Sequence, residues 1–454
     1  MTTEMTEMGR LGVAGVSRRG LLAGGIPLAL AAGACPAGAA VSGVSGVPGA
    51  SGVAGGQGSR LRWTLISRMH NGRPSGFVQE IAMSANARVV VFQTFRALLP
   101  DGGGFNDPSL YAYDRSTKKL SMVSANAKGV SARGGENGRP VVSPSGRWVV
   151  FSSASPLLMP KGALGTLVVK DLATGAVRRL APTPQQSPPG ARPFGGVAYD
   201  WSADGHWLLV GGTWPGPGYD PSYWLVEWPS GVFHRLPFHG PEIEVSKVSA
   251  DGSLVTGSEV RDPIGWFPFV VDVATGRRRF IAAPTGVGPT VPNGTQGVYL
   301  SGDGTHVTSS WRVGDLDYGI DRVVQISRLP DLRVEQVLTQ ENTGLESLNG
   351  VAGIDYDGSH LLLATMRRKP DPYFIPADLY RYNRQTGART RVTVNSQGVP
   401  LNSSIDRLQA SADLRTILIG TGANNLVKDD APVGEWLPIR ANDVFTVDID
   451  PVQQ

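Results

Sequence analysis

The residues of this chain best equipped for chemistry are aromatic and charged side chains that recur at one place in a repeated pattern. They do not form a known catalytic constellation. Beyond residue 60 there is no Gly-x-Ser-x-Gly elbow, no phosphate-cradling loop with its lysine and no His-Glu-x-x-His. Of the six histidines, His206, His306 and His360 occupy the same place in three similar units, which points to a structural role over metal ligation. His234 and His239 stand five apart, a spacing that puts them on opposite faces of a strand. Asp315, Asp317 and Asp321 match the first, third and seventh places of a calcium loop, but Gly319 holds the fifth and the closing glutamate is missing. No metal or other cofactor is expected.

The aromatic set is Phe105, Trp214, Trp266, Trp311, Tyr373 and Trp436, one in each of six loops that precede a third strand. Two readings stand side by side. Such rings stack on sugars or pack against peptide side chains, and they also wedge between neighbouring sheets. The loop Trp214-Pro-Gly-Pro-Gly-Tyr219-Asp220-Pro-Ser-Tyr223 is polar, turn-rich and aromatic together, and is the best single loop for ligand contact. Glu80, Arg139, Glu244, Asp406 and Arg407 are expected near the same face, at the starts of innermost strands. Mixed charges there suit a polar ligand or simply solvate a channel.

These residues are placed by a unit repeated seven times. Its hairpin signal reads Ser84-Ala-Asn-Ala, Ser143-Pro-Ser-Gly, Ser202-Ala-Asp-Gly, Ser249-Ala-Asp-Gly, Ser301-Gly-Asp-Gly, Asp355-Tyr-Asp-Gly and Ser411-Ala-Asp-Leu. Asp-Gly tolerates the positive φ angles of a tight hairpin. An apolar strand follows each signal, as in Trp148-Val-Val-Phe151, with no alternation, as expected of a sheet covered on both faces. A third strand such as Leu379-Tyr-Arg-Tyr-Asn383 leads through Arg-Gln-Thr-Gly to a fourth. Four short antiparallel strands repeated seven times predict an all-β, seven-bladed β-propeller over residues 60–454. The final unit ends with its third strand, Asp443–Asp448, while Trp63-Thr-Leu-Ile-Ser67 matches fourth strands elsewhere. The amino-terminal strand is therefore predicted to complete the last blade and close the ring, hiding sheet edges.

The repeat, Ser-x-Asp-Gly followed by an apolar strand, then Leu-Tyr-x-Tyr-Asp with Thr-Gly and Arg-Leu/Val, resembles the TolB-type, WD40-like propeller repeat. The resemblance covers about residues 61 to 454. It implies a module found as a non-catalytic, partner-binding propeller or as an appendage to serine peptidases. No hydrolase domain is expected after the ring.

Composition agrees. The 59 Gly and 34 Pro make about 20% of 454 residues, against roughly 12% in an average protein, so the chain is rich in turns and poor in helix. Net charge is +4 and the basic residues are spread out, which excludes a nucleic-acid stripe. One cysteine, Cys35, rules out a disulfide framework. Ser17-Arg18-Arg19-Gly20-Leu21-Leu22 opens a short apolar run and resembles a twin-arginine export signal. Residues 1–39 then form the signal peptide and 40–59 a flexible linker of Gly, Ala, Ser and Val. Cleavage after Ala39 is the preferred reading. In the alternative, Cys35 is lipidated and supplies the only membrane attachment. The function expected is an exported, monomeric, non-enzymatic propeller that binds a protein or a cell-wall glycan through its loop face. The alternative is a propeller enzyme of polysaccharide lyase or lactone hydrolase type, with a carboxylate or metal site at the channel mouth.

Overall fold

The computed structural model describes residues 60–69, 72, 74–99, 108–132, 137–158, 166–187, 194–213, 221–240, 243–261, 265–284, 298–313, 321–345, 347–366, 377–427 and 442–450. They form seven four-stranded antiparallel sheets. β1 spans Leu61–Leu65. Blade 1 holds β2 (Val78–Met83), β3 (Val89–Thr94), β4 (Ser109–Asp114) and β5 (Lys119–Met122). Blade 2 holds β6 (Asn137–Val142), β7 (Trp148–Ser153), β8 (Thr166–Asp171) and β9 (Val177–Leu180). Blade 3 holds β10 (Gly195–Trp201), β11 (Trp207–Thr213), β12 (Ser222–Glu227) and β13 (Val232–His239). Blade 4 holds β14 (Ile243–Val248), β15 (Leu254–Arg261), β16 (Gly265–Asp272) and β17 (Arg278–Phe280). Blade 5 holds β18 (Val298–Leu300), β19 (His306–Val313), β20 (Asp321–Arg328) and β21 (Arg333–Leu338). Blade 6 holds β22 (Gly350–Ile354), β23 (His360–Met366), β24 (Ala377–Asn383) and β25 (Arg389–Arg391). Blade 7 is β26 (Ile405–Ala410), β27 (Thr416–Thr421) and β28 (Asp443–Ile449), completed by β1. A single α-helical turn, Gln340–Thr343, and one 3-10 turn, Pro184–Gln186, are the helices among the described residues.

The ring closes as the sequence predicts. β1 pairs antiparallel with β28 along its whole length, from Leu61 opposite Ile449 to Leu65 opposite Phe445. Within each blade the strands run inner to outer, and each innermost strand touches the next around the ring, β26 meeting β2. The core is therefore not one central cluster but seven apolar layers, one between each pair of neighbouring blades. Strands such as β3, β8 and β27 are buried at every position, which is why their sequences are apolar without alternation.

The hairpin between first and second strands has a recurring chemistry. In blades 3, 4, 5 and 7 the Ser hydroxyl donates to the Asp two residues on and accepts from the first N–H of the next strand, as Ser249 Oγ does with Asp251 (2.7 Å) and Leu254 (2.9 Å). Asp355 takes the acceptor role in blade 6. One left-handed residue follows in every blade: Ala87, Gly146, Gly205, Gly252, Gly304, Gly358 and Leu414. The Asp preceding it is not left-handed, so the turn needs one positive φ where a two-residue Asp-Gly hairpin needs two. Backbone bonds tie successive turns together, with Ala250 N–H on Gly302, Asp303 on Tyr356, Tyr356 on Ala412 and Ala412 on Ala85.

Candidate functional site

Antiparallel order puts the loops between second and third strands on the same face as the starts of the innermost strands, opposite the ring of hairpins. The innermost strands are not regular. Each of β2, β6, β10, β14, β22 and β26 carries a bulge against its second strand, while β18 shows none among its described residues. A bulge adds a residue and re-aims the side chains beside it.

Blades 7, 1 and 2 bring charges together at the mouth. Four residues before the hairpin residue, blades 1, 2 and 7 carry Glu80, Arg139 and Arg407, half-buried or exposed. At the same count in blades 3, 4 and 6 stand Ala198, Val245 and Val351, which lie before their bulges and are buried in the layers between blades. Arg407 Nη2 lies 3.9 Å from Glu80 Oε1, so the closing blade and the first blade meet through a loose ion pair. Arg407 Nη1 also donates to the Asp406 carbonyl at 2.8 Å. Asp406 sits in the β26 bulge, where its carboxylate accepts from Ser404 Oγ (3.1 Å) and Asn442 Nδ2 (2.7 Å). Neither Glu80 nor Asp406 is thus an unengaged base. Arg139 adopts φ 51° inside the β6 bulge and is exposed. Its neighbour Pro140 has no N–H to give to the ladder, which suits a residue pair looped out of register. Glu244 lies half-buried on β14, two blades from β6 and away from the charged sector.

Sequence reading missed a second tier. Two residues before the hairpin, blades 3, 4 and 5 carry Asp200, Lys247 and Tyr299 on adjacent innermost strands. Lys247 Nζ donates to Asp200 Oδ1 at 2.9 Å, and Val248 N–H donates to Asp200 Oδ2 at 3.1 Å. Burial pushes the Asp200 carboxyl up, against the pull of Lys247. Burial works against the Lys247 charge, but Asp200 outweighs it and holds the ammonium above its ordinary value. Burial also raises Tyr299. The signal was available, since the three polar residues stand at the same offset from the hairpin on consecutive innermost strands.

Several predicted contacts belong to the core instead. Trp311 is in β19, not a loop, and is fully buried between blades 4 and 5 with Val270 and Val323; its Nε1 donates to Ser309 Oγ at 2.7 Å. Trp266 lies in β16, half-buried and opposite Val260, because β15 and β16 extend further than their apolar runs suggest. Tyr223 is buried in β12 and its hydroxyl donates to the Ile243 carbonyl, linking blades 3 and 4. Phe105, Trp214, Tyr219, Asp220, Tyr373 and Trp436 lie outside the described residues, as do Asp315 and Asp317, the export pair Arg18 and Arg19, and Cys35.

The three repeat-position histidines are structural in their contacts. His306 pairs with Glu335 at 3.2 Å, His360 with Asp355 at 2.9 Å and His206 with Asp204 at 3.0 Å. His234 and His239 are both exposed, because a bulge between them interrupts the alternation of β13. Among the described residues no three His, Cys, Asp or Glu side chains are grouped to hold a metal.

No family model and no curated protein matches the chain. Solved structures do. An oligogalacturonate lyase from Vibrio parahaemolyticus superposes with a TM-score of 0.54 at 11% identity, over 87% of this chain and 98% of that one. The propeller domain of the Trilobed protease from Pyrococcus furiosus gives 0.49 at 10% identity, over 82% and 93%. TolB from Acinetobacter baumannii gives 0.37 at 17% identity, over 62% of this chain and 64% of that one, so the chain spans less than two thirds of that protein. Likeness at these identities carries the fold and leaves activity open. The chain has the architecture of a β-propeller of seven four-stranded blades.

Proposed function

We propose that this chain is an exported, non-catalytic propeller that binds a protein segment or a cell-envelope glycan at the channel mouth, on the face of its loops between second and third strands. The observation that carries the reading is the gathering of Glu80, Arg139, Asp406 and Arg407 on three consecutive innermost strands. Glu80, Arg139 and Arg407 stand in or beside bulges on these strands, whereas Ala198, Val245 and Val351, at the same count from the hairpin, are packed between blades. Charges of both signs gathered on one arc of a rim complement a ligand that itself carries both signs. Export rests on Ser17-Arg18-Arg19-Gly20-Leu21-Leu22 and the apolar run after it.

Co-purification and a glycan array with the intact protein test the binding. The expected result is a ligand retained by the natural chain and lost at least tenfold in the Glu80→Ala, Arg407→Ala double variant with its melting temperature preserved. Equal retention by both proteins overturns the mouth as the binding site. For export, Arg18→Lys with Arg19→Lys should hold the chain in the cytoplasm; unchanged appearance outside it would defeat that part.

A further inference from the structure

Arg139 is set apart from every other charge at the mouth. Glu80 has Arg407, Asp406 has Ser404 and Asn442, and Arg407 has its own carbonyl and Glu80. Arg139 makes no hydrogen bond or ion pair among the described residues, although it is exposed on the innermost strand of a closed ring. It also holds a left-handed backbone, φ 51°, that glycine adopts without penalty and an arginine does not. The residue before it is Gly138 and the one after it Pro140, so the local chain is shaped to present this one side chain. A guanidinium with all five N–H groups unspent is a planar fork matched to a carboxylate.

The neighbours decide what kind of carboxylate fits. Around three adjacent strands the rim reads Arg139 on β6, Glu80 on β2, then Arg407 with Asp406 on β26. A polyanionic chain or a phosphate dianion would meet two carboxylates for one unspent cation. A polypeptide that carries an acidic side chain beside a basic one meets each charge with its opposite. We propose that Arg139 anchors a carboxylate of such a mixed-charge polypeptide segment, with the Glu80 and Asp406 side of the rim taking its adjoining cation. This rests on the mouth being the binding site and selects the protein arm of that reading.

Arginine-specific labelling with phenylglyoxal on the full chain, followed site by site by mass spectrometry, tests it. The probes are the peptide acetyl-Glu-Lys-Glu-Lys-amide, inorganic phosphate and trigalacturonate. Arg139 should label at least tenfold faster than Arg115, which is engaged with Asp448 at 2.7 Å. The peptide should slow Arg139 labelling at least fivefold and outperform both other probes. Direct titration should show peptide binding lost in Arg139→Gln and partly restored in Arg139→Lys, and both variants should melt like the natural chain, since the side chain supports nothing. Unchanged Arg139 labelling in the peptide, or stronger protection by phosphate or trigalacturonate, overturns the assignment. If a ligand captured by the intact protein is lost in the Glu80→Ala, Arg407→Ala variant yet unaffected by Arg139→Gln, the mouth stands and the Arg139 anchor falls. If neither variant changes capture, both fall.

Discussion

Ser67 Oγ donates to Asp443 Oδ1 at 2.7 Å, joining two residues from opposite ends of the propeller chain. The same hydroxyl accepts from Val444 N–H at 2.9 Å. In blade 6 the pair Thr393 and Asp378 makes the same contacts within one continuous stretch, Thr393 Oγ1 donating to Asp378 Oδ1 (2.9 Å) and accepting from Leu379 N–H (3.2 Å). Ser67 therefore plays the part of a fourth-strand residue in blade 7, so the closure reproduces a normal blade down to its side-chain bonds.

Asp443 Oδ1 also accepts from Gly76 N–H at 3.0 Å. Burial pushes this carboxyl up, against the Gly76 and Ser67 bonds that oppose it. A raised folded pKa means that the folded chain holds the proton more tightly than the unfolded one. The Asp443 contribution to stability then falls as pH rises from the ordinary carboxylate range through the folded value. Asp443→Asn keeps the acceptor and loses the charge, so it should remove this component from a melting curve followed against pH. Asp443→Ala should cost about 1–3 kcal/mol in urea unfolding by leaving buried donors unmet. Equal behaviour of the two variants would contradict the account.

Removing residues 60–69 should open blade 7 and expose the edge of β28, whose bonds to β1 run from Leu61 to Leu65. The expected outcome is aggregation or a new oligomer by size-exclusion chromatography and a melting temperature lowered by about 10 °C through loss of a whole edge strand. A monomer with unchanged melting would refute the closure.

Trp311 was a candidate ligand contact by sequence and is core by structure. Trp311→Ala should destabilise by about 3–5 kcal/mol through the cavity left between blades 4 and 5. Denaturant titration reads the loss. Ligand capture per folded molecule should stay the same, whereas a selective loss of capture with stability intact would restore the ligand reading.

Lys247→Met leaves Asp200 without its cation. The cost should be about 2 kcal/mol at neutral pH, below the roughly 3–5 of a fully enclosed pair, because channel solvent still reaches the Lys247 site. Without Lys247 the carboxyl rises further. The variant's deficit should therefore shrink as pH falls through that raised value and be largest above it. Asp200→Asn added to Lys247→Met should recover stability at neutral pH. A deficit that does not depend on pH would mean that lost packing, not charge, explains the change.

Much of the fold was legible in residues. Ser249-Ala-Asp-Gly is read as a turn because its hydroxyl, carboxylate and glycine each satisfy a bond or dihedral within six residues. Trp63–Ser67 is read as a stray fourth strand because it resembles complete ones. The mouth was legible only in part. Glu80, Asp406 and Arg407 do come together, and Arg139 joins them on the next strand, since their distance from the hairpin is counted along one strand. Trp266 and Trp311 were misplaced because strand ends depend on the partner strand, which extends pairing past the apolar run. Tyr223 was misread because its hydroxyl partner, Ile243, belongs to the next blade.

The sequence by itself determined the number of blades, the turn chemistry and the strand that closes the ring, because each of these follows from contacts within one repeat or from likeness between repeats. Only the tertiary structure decided which aromatics are core, that Asp200 and Lys247 pair, and that Arg139 is left unpaired. Those facts are set between blades, where residues about 50 positions apart meet across packed faces and no local pattern records the neighbour.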